Sequence, residues 1–200
     1  MYYIRLSEED PNSIVYYCRN CGHENKNISL DSVTISKTSF KHNKQKYGLP
    51  LPIWVACEVW DFGCMSTLFA GLTTEMQDNI AAAYGVRDGR VFASWLRSLN
   101  YLRNVCAHHS RLWKRNIVDQ PRLPSEAEMP WVAGFERNSH ALARCFLLLR
   151  ILRQLLGVIN PRSSWPDRMH EHLASFPELG HLGLNVAGMG APMDWPATWT

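Results

Sequence analysis

A single long amphipathic pattern constrains the fold of this chain more than any other feature. From Arg90 onwards apolar residues recur at spacings of three and four, the period of a helix with one buried face. The pattern extends over about five turns of an α-helix. Its apolar positions are Val91, Trp95, Leu96, Leu99, Leu102 and Cys106. Asp88 precedes it as the expected N-cap, and such a face needs other elements to cover it.

Further stretches show helical patterns, at residues 49–72, 75–84, 140–158 and 165–175. The earliest opens with two prolines, which suit the first turn of a helix because missing N–H groups cost little there. Residues 115–130 hold three prolines and no apolar period, which predicts a loop. We therefore expect a mainly α fold, with a helical domain over residues 41–176 and an extended or disordered tail over residues 177–200.

Residues 1–40 have a different character and are predicted to form a separate β arm. Runs of β-branched and aromatic residues on either side of Asp10-Pro11-Asn12 predict a short β-hairpin. Cys18 and Cys21 follow at a spacing in which two thiolates can bind one zinc ion. The segment YYCRNCGHE resembles half of a zinc ribbon of small RNA polymerase subunits and transcription elongation factors. The chain has no second cysteine pair of this spacing, so an arm without metal is the alternative.

Charge distribution and composition restrict the kinds of partner that the chain is expected to bind. The net charge is only +3, but residues 87–122 hold eight arginines and lysines against two aspartates. A basic face of this kind favours a polyanionic partner such as RNA, and a merely solvated helical face is the alternative. No apolar run approaches the ~20 residues that span a bilayer, and no signal peptide pattern is present. Six scattered cysteines suit a reducing, cytoplasmic setting with no membrane partner.

The polar stripe of the long helix ends in NYLRNVCAHH, residues 100–109, where Arg103 and His108 stand in an R-x4-H arrangement. Asn104 and His108 are one turn apart and share a face, while Arg103 lies roughly 100° round the helix. Arginine and histidine therefore flank one groove. Histidine is a natural acid or base near neutral pH, and arginine matches the charge of a phosphorane. The pattern indicates RNA cleavage by 2′-OH attack.

Neighbouring residues are expected to assist this site. His109, Arg111 and Lys114 would follow the RNA backbone, and Trp113 would stack on a base. Asn100 lies on the same polar stripe as Asn104 and His108 and is expected to support them.

Glu58 is a carboxylate within an apolar stretch, and burial would require a cation such as Arg103 as its partner. The alternative is a solvated Glu58 at a helix edge. Because one chain supplies one histidine to the groove, a homodimer would be needed to supply both an acid and a base. The alternative to a functional site is a polar helix end whose histidine has its hydrogen bonds satisfied and plays no catalytic role.

Three segments, LPIWVACEVWDFG, ASWLRSLNYLRNVCAHHSRLW and INPRSSW, in this order over residues 40–176, resemble the Abi family of bacterial abortive-infection proteins, the AbiD/AbiF-like group of the HEPN superfamily. The family motif falls on Arg103 and His108, with Asn104 at its polar position and His109 at its second histidine. The resemblance implies a HEPN-like helical bundle and a composite active site in a homodimer.

It also implies a metal-independent endoribonuclease, needing no cofactor, in phage defence or a toxin–antitoxin system. An antitoxin RNA or protein would then be a partner. The alternatives are a non-catalytic RNA-binding or protein-interaction module, and a truncated or chimeric product without activity, because family members usually carry further helical sequence before the LPIW segment.

Overall fold

The structure, a computed structural model, describes residues 45–46, 61–136 and 138–199 apart from the Thr198 side chain, together with the backbones of residues 2–6, 13–18, 24–29 and 51–52. The chain divides into two compact units, Met1–Gly71 and Leu72–Thr200. Most of the described chain is helical, which confirms the prediction of a mainly α protein. No helix in these described ranges is long and apolar enough to cross a lipid bilayer.

Among its described residues, the first unit contains a small antiparallel sheet and the helix Phe62–Ala70. The sheet consists of β1 (Tyr2–Leu6), β2 (Ser13–Cys18), β3 (Glu24–Ser29) and β4 (Leu51–Pro52), in the order β3-β2-β1-β4. The β2–β3 register shifts between Ile14 and Tyr16. The thiols of Cys18 and Cys21 lie outside the described residues, so the zinc site stays a prediction.

The helix predicted over residues 49–72 is wrong in its first part. Leu51–Pro52 forms β4, and Pro52 lies opposite Tyr3 of β1. Proline lacks an N–H and is tolerated on an edge strand as well as at a helix start, so its presence did not distinguish the two. Helix α1 begins only at Phe62 and runs over Phe62–Ala70, with Asp61 as its N-cap. Residues 53–60, which include Glu58, lie outside the described ranges.

The second unit is helical. Its helices are α2 (Thr74–Ala82), α3 (Gly89–Ala107), α4 (Ala133–Glu136), α5 (Ser139–Leu142), α6 (Cys145–Ile159), α7 (Trp165–Ala174) and α8 (Trp195–Thr198), and its 3-10 turns are Pro130–Val132, Gly180–Leu182 and Val186–Met189. Asp88 caps α3, as predicted, by accepting a hydrogen bond from the Arg90 N–H at 2.8 Å. Residues 115–129 form the predicted loop.

Glycine is required where α2 and α3 meet. A Cβ atom on Gly89 would lie 2.4 Å from the Cβ of Gln77, well inside van der Waals contact. The Gly89 N–H also donates to the Asp78 carboxylate at 2.7 Å. The two helices can therefore approach closely at this point, and the start of α3 is fixed against α2.

A continuous series of aromatic contacts forms the core of the second unit. Ring centroids 4.9–6.5 Å apart connect Tyr84, Phe92, Trp95, Trp131, Phe135, Phe146 and Trp199 in turn. Trp95, Phe135 and Phe146 are fully buried. Each such pair adds about 0.5–1.5 kcal/mol beyond the burial of its apolar area. The helices that carry these rings, α3 and α6 above all, are therefore held firmly together.

Residues 140–158 were predicted as one helix, but the structure divides them into α5 and α6. The backbone of Arg144 is extended, with φ −123° and ψ 162°. The Ala143 carbonyl accepts a hydrogen bond from the Ile117 N–H at 2.8 Å, so it is hydrogen-bonded to the loop of residues 115–129. Gly190 lies against the same break, since a Cβ there would be 2.5 Å from the Cβ of Arg144. Contacts from distant parts of the chain therefore interrupt the helix.

The tail, which we expected to be extended or disordered, contains two of the 3-10 turns and α8. Trp199 is only 2% exposed. Its indole N–H donates to the Pro166 carbonyl at 3.0 Å, and its own carbonyl accepts from the Arg150 guanidinium at 2.8 Å. These contacts fix residues 177–199 within the second unit. The aromatic Trp199 makes this possible, because it has a large apolar ring to bury and an N–H to satisfy.

Candidate functional site

The candidate site lies at the C-terminal end of α3, where the helix closes with a Schellman motif. The Ser110 N–H donates to the Val105 carbonyl and the His109 N–H donates to the Cys106 carbonyl, both at 3.0 Å. His108 is the C-cap residue, and its N–H donates to the Asn104 carbonyl at 3.1 Å. Such a motif needs a left-handed residue just after the cap, which is usually glycine.

Here that left-handed residue is His109, with φ 51°. A side chain in this conformation costs about 1 kcal/mol or more relative to glycine. Strained residues of this kind occur preferentially at functional sites. The strain at His109 is therefore a feature of the site that the sequence pattern did not indicate.

Arg103 and Asn104 are joined directly. The Arg103 guanidinium donates from Nη1 to Oδ1 of Asn104 at 2.9 Å. Arg103 and His108 are exposed, and Asn104 and Asn100 are half-buried. Among the described residues, no hydrogen bond joins Arg103 to His108. The structure thus presents the guanidinium and the imidazole separately to solvent, and an amide holds the guanidinium in place.

The turn that follows α3 is tied to distant segments. The Trp113 indole N–H donates to the Asn185 carbonyl at 3.2 Å, and its ring packs against Gly188. Lys114 has φ 58°, and its Nζ lies 4.9 Å from the centre of the Trp113 ring. The tail therefore contacts Trp113, the residue predicted to stack on a base. Stacking would have to use the part of the Trp113 ring that these contacts leave exposed.

Two arginines, Arg144 and Arg115, hold this turn through hydrogen bonds that the sequence pattern did not indicate. The Arg144 guanidinium donates to the carbonyl of Lys114 and, from Nε, to Nε2 of His140 at 3.2 Å. Arg115 donates from Nε to the Tyr101 hydroxyl at 3.3 Å. Arg144 and Lys114 lie 30 residues apart in the chain, and Arg115 and Tyr101 lie 14 apart. Helical period alone carries no signal for contacts at such separations.

The loop that follows is anchored on the buried face of α3. Ser94 Oγ accepts from the Arg122 N–H at 2.9 Å, and the Trp95 indole N–H donates to the Arg122 carbonyl at 2.8 Å. One turn later, the Ser98 hydroxyl donates to the Asp119 carbonyl. Ser94 and Ser98 are both buried. Helix α3 therefore fixes the loop as well as presenting the polar residues at its end.

We use the name basic edge for six residues, namely Arg103, His108, His109, Arg111, Lys114 and Arg115. All six side chains are exposed. No aspartate or glutamate occurs between residues 101 and 118 of the sequence. The three arginines and one lysine of this set, in a stretch of sequence without an acidic residue, favour binding of a polyanion.

The structure leaves the predicted metal site and one predicted supporting residue undecided. Within the ranges that the structure describes, no group of three or more His, Cys, Asp or Glu side chains is placed to hold a metal ion. Glu58 and Cys21, together with the side chain of Cys18, lie outside those ranges. Their assigned roles stay predictions.

Comparison with known proteins gives one family match. Residues 7–114 match a family described as Abi-like protein. The match begins well before residue 40, where the motif resemblance was expected to begin, and it includes most of the segment that we set apart as a ribbon-like arm. It ends at Lys114, within the basic edge and before the INPRSSW segment. No curated protein and no solved structure was found to match the chain.

Proposed function

The chain belongs to the family of Abi-like proteins, and we propose that it acts in phage defence as a metal-independent endoribonuclease whose site is the basic edge. Family membership points to abortive infection. The observation that supports the chemistry is the end of α3, where Arg103 and His108 are exposed, Asn104 accepts a hydrogen bond from Arg103, and the sequence from 101 to 118 holds no acidic residue. In this proposal the HEPN-type R-x4-H motif is formed by Arg103 and His108.

The proposed reaction needs only side chains and the RNA itself. A base removes the proton of the ribose 2′-OH, and the resulting oxygen attacks the adjacent phosphorus. The bond from phosphorus to the 5′ oxygen then breaks, and an acid gives that oxygen a proton. The products are a 2′,3′-cyclic phosphate and a 5′-OH. Arg103 would stabilise the negative charge of the phosphorane, and its hydrogen bond to Asn104 would keep the guanidinium oriented.

A dimer would complete the site. His108 of one chain can act as base or as acid but not as both in the same step, and we propose that a second copy supplies the other histidine. Symmetric homodimers are the commonest oligomers, so two α3 ends related by a two-fold axis are the simplest arrangement. His109, Arg111, Lys114 and Trp113 would then contact RNA on either side of the cut.

The test is cleavage of a 5′-labelled single-stranded RNA by the full chain in the presence of EDTA. His108→Ala is expected to lose about 100-fold or more of the rate, the usual effect of removing a general acid or base. His172→Ala is the matched control, because His172 is an exposed histidine of α7 outside the matched range. Equal cleavage by wild type and His108→Ala would remove His108 from the mechanism.

Mixing experiments test the composite site. If both histidines of a dimer are needed, an equal mixture of wild type and His108→Ala, after subunit exchange, retains about one quarter of the wild-type activity at the same total concentration. If each chain is self-sufficient, the mixture retains about one half. The two results are separable in a single titration of the mixing ratio.

A second function, RNA binding without cleavage, is favoured by one observation. The Arg103 guanidinium already donates to Asn104, and no hydrogen bond joins Arg103 and His108 among the described residues. A module of this kind, or one that contacts an antitoxin RNA or protein, would bind RNA with a steep salt dependence. It would yield no cyclic-phosphate ends, which mass spectrometry of the RNA products detects.

A further inference from the structure

A cleft in the second unit holds two arginines with no acidic residue in its lining. It has a volume of about 800 Å³ and is bounded by the C-terminal half of α6, the Pro130–Trp131 segment and the starts of α7 and α8. Arg150 and Arg153, one turn apart on α6, both line it. Clefts of about 300–1,000 Å³ are typical of small-molecule sites.

Arg150 is the unusual member of this pair. It is only 4% exposed, and its guanidinium lies 5.2 Å from the centre of the Trp131 ring and 5.7 Å from that of Trp199. It donates from Nη1 to the Trp199 carbonyl, a neutral acceptor. Burial, and then the charge of Arg153, lower the pKa of Arg150 to about 10. No ion pair joins Arg150 to a carboxylate in the part of the chain that the structure describes.

Two further N–H donors of the lining are buried without a partner. They are Nε of Arg153 and Nε1 of Trp131, and neither finds an acceptor among the described residues. Burial also lowers the pKa of Arg153, although the charge of Asp167 opposes this. Buried donors that lack acceptors are costly, and native structures satisfy nearly all of them. The lining of the cleft therefore carries two guanidinium groups and no carboxylate, together with two buried donors that lack acceptors.

We propose that this cleft binds an organic phosphate monoester of about the size of a mononucleotide. A phosphate monoester carries nearly two negative charges at neutral pH, so it offsets both arginines, whereas a carboxylate would offset one. Its oxygens can accept from guanidinium groups in bidentate fashion. The Trp131 ring and the prolines at 130, 161 and 166 offer apolar surface for a planar ring. The proposal does not rest on the ribonuclease activity, because the cleft shares no residue with the basic edge.

Isothermal titration calorimetry of the full chain with AMP, adenosine and inorganic phosphate tests the proposal. AMP is expected to bind once per chain, and adenosine at least about tenfold more weakly, since it lacks the group that contacts the arginines. Equal affinities for AMP and adenosine would overturn the proposal. So would the absence of AMP binding at millimolar concentration.

Two variants test whether AMP binds in this cleft. Arg153→Gln is expected to lower the AMP affinity about tenfold or more, because it removes a charged partner of the phosphate. Arg168→Gln, an exposed arginine of α7 outside the lining, is the matched control and should leave the affinity unchanged. Unchanged binding in Arg153→Gln, or binding lost in Arg103→Gln instead, would show that AMP binds elsewhere and would overturn the assignment.

A third variant keeps the test decisive if Arg153→Gln folds poorly. Val158 lines the cleft but is 44% exposed, so Val158→Trp adds volume at the entrance without touching either arginine. Its thermal melt should match that of wild type, and its AMP affinity should fall about tenfold. A Val158→Trp protein that binds AMP as tightly as wild type would contradict the proposal.

Discussion

Two arginines of the second unit, Arg103 on α3 and Arg150 on α6, show how differently the same side chain is used. Arg103 is exposed and donates to its neighbour Asn104. Arg150 is buried between two indole rings and donates to a backbone carbonyl. An exposed guanidinium keeps its water and is available to a large polyanion at little cost. A buried one has lost its water, so the surrounding structure or a ligand must replace it.

The comparison predicts opposite profiles for activity and stability. Removing the exposed arginine should affect only the proposed RNA cleavage at the surface. Removing the buried arginine should mainly lower the free energy of unfolding.

Arg103→Gln should lower the rate of the proposed RNA cleavage by about 10²–10³-fold, equivalent to about 3–4 kcal/mol, because it removes the cation that we propose to stabilise the phosphorane. The free energy of unfolding should change by less than about 0.5 kcal/mol, as for other exposed substitutions. Arg168→Gln is the control for loss of one exposed positive charge. The measurements are single-turnover cleavage and urea denaturation. A rate equal to that of wild type would remove Arg103 from the site.

Arg150→Ala should destabilise the protein by about 2–4 kcal/mol. It leaves a void between Trp131 and Trp199 and leaves the Trp199 carbonyl without its donor. Arg150→Met retains much of the side-chain volume and removes a desolvated charge, so it should cost no more than about 1 kcal/mol. Urea denaturation compares the two. A methionine variant as unstable as the alanine variant would mean that the charge itself, through its contacts with the two rings, is what stabilises the native state.

His109→Gly should stabilise the protein by about 1 kcal/mol, because glycine adopts the left-handed conformation at the end of α3 without strain. Thermal denaturation measures this, and Ser110→Gly, at the next position, is the control. If His109 also contacts RNA, the same variant should bind RNA more weakly while it is more stable. A loss of stability in His109→Gly would show that the imidazole makes contacts that outweigh the backbone strain.

Helix α3 shows which features of the fold the sequence could predict. Its N-cap Asp88, most of its buried stripe and the exposure of Arg103 follow from spacing within a few residues, and the structure agrees. Cys106, which was predicted to lie on the buried stripe, is exposed. The turn after it does not follow in this way. His109 stands where a glycine would have signalled the left-handed residue, so the Schellman closure had no marker in the sequence.

Helix α6 shows a feature of the fold that the sequence could not predict. Its apolar pattern predicted a helix, but the break at Arg144 depends on Ile117 and Gly190, and period-based reasoning cannot detect such distant partners. Arg150 could have been noticed, because it interrupts the run CFLLLRILRQLL on a face that must be buried. The argument that we applied to Glu58, that a lone charge in an apolar stretch needs a partner, applies equally to Arg150.

The smallest expected effect concerns Arg97, which pairs with Asp119 at 3.7 Å on the exposed side of α3. Both side chains retain much of their exposure, 63% and 44%, so water competes with the pair and Arg97→Gln should cost less than about 0.5 kcal/mol. The loop itself should keep its position, because Ser98 holds the Asp119 carbonyl from the buried side. Urea denaturation of Arg97→Gln and Ser98→Ala separates the two contributions, and Ser98→Ala should cost about 1–2 kcal/mol. If Arg97→Gln proved the more destabilising of the two, exposure would not be what distinguishes Arg103 from Arg150, and the contrast between the two helices would have to be explained by their partners instead.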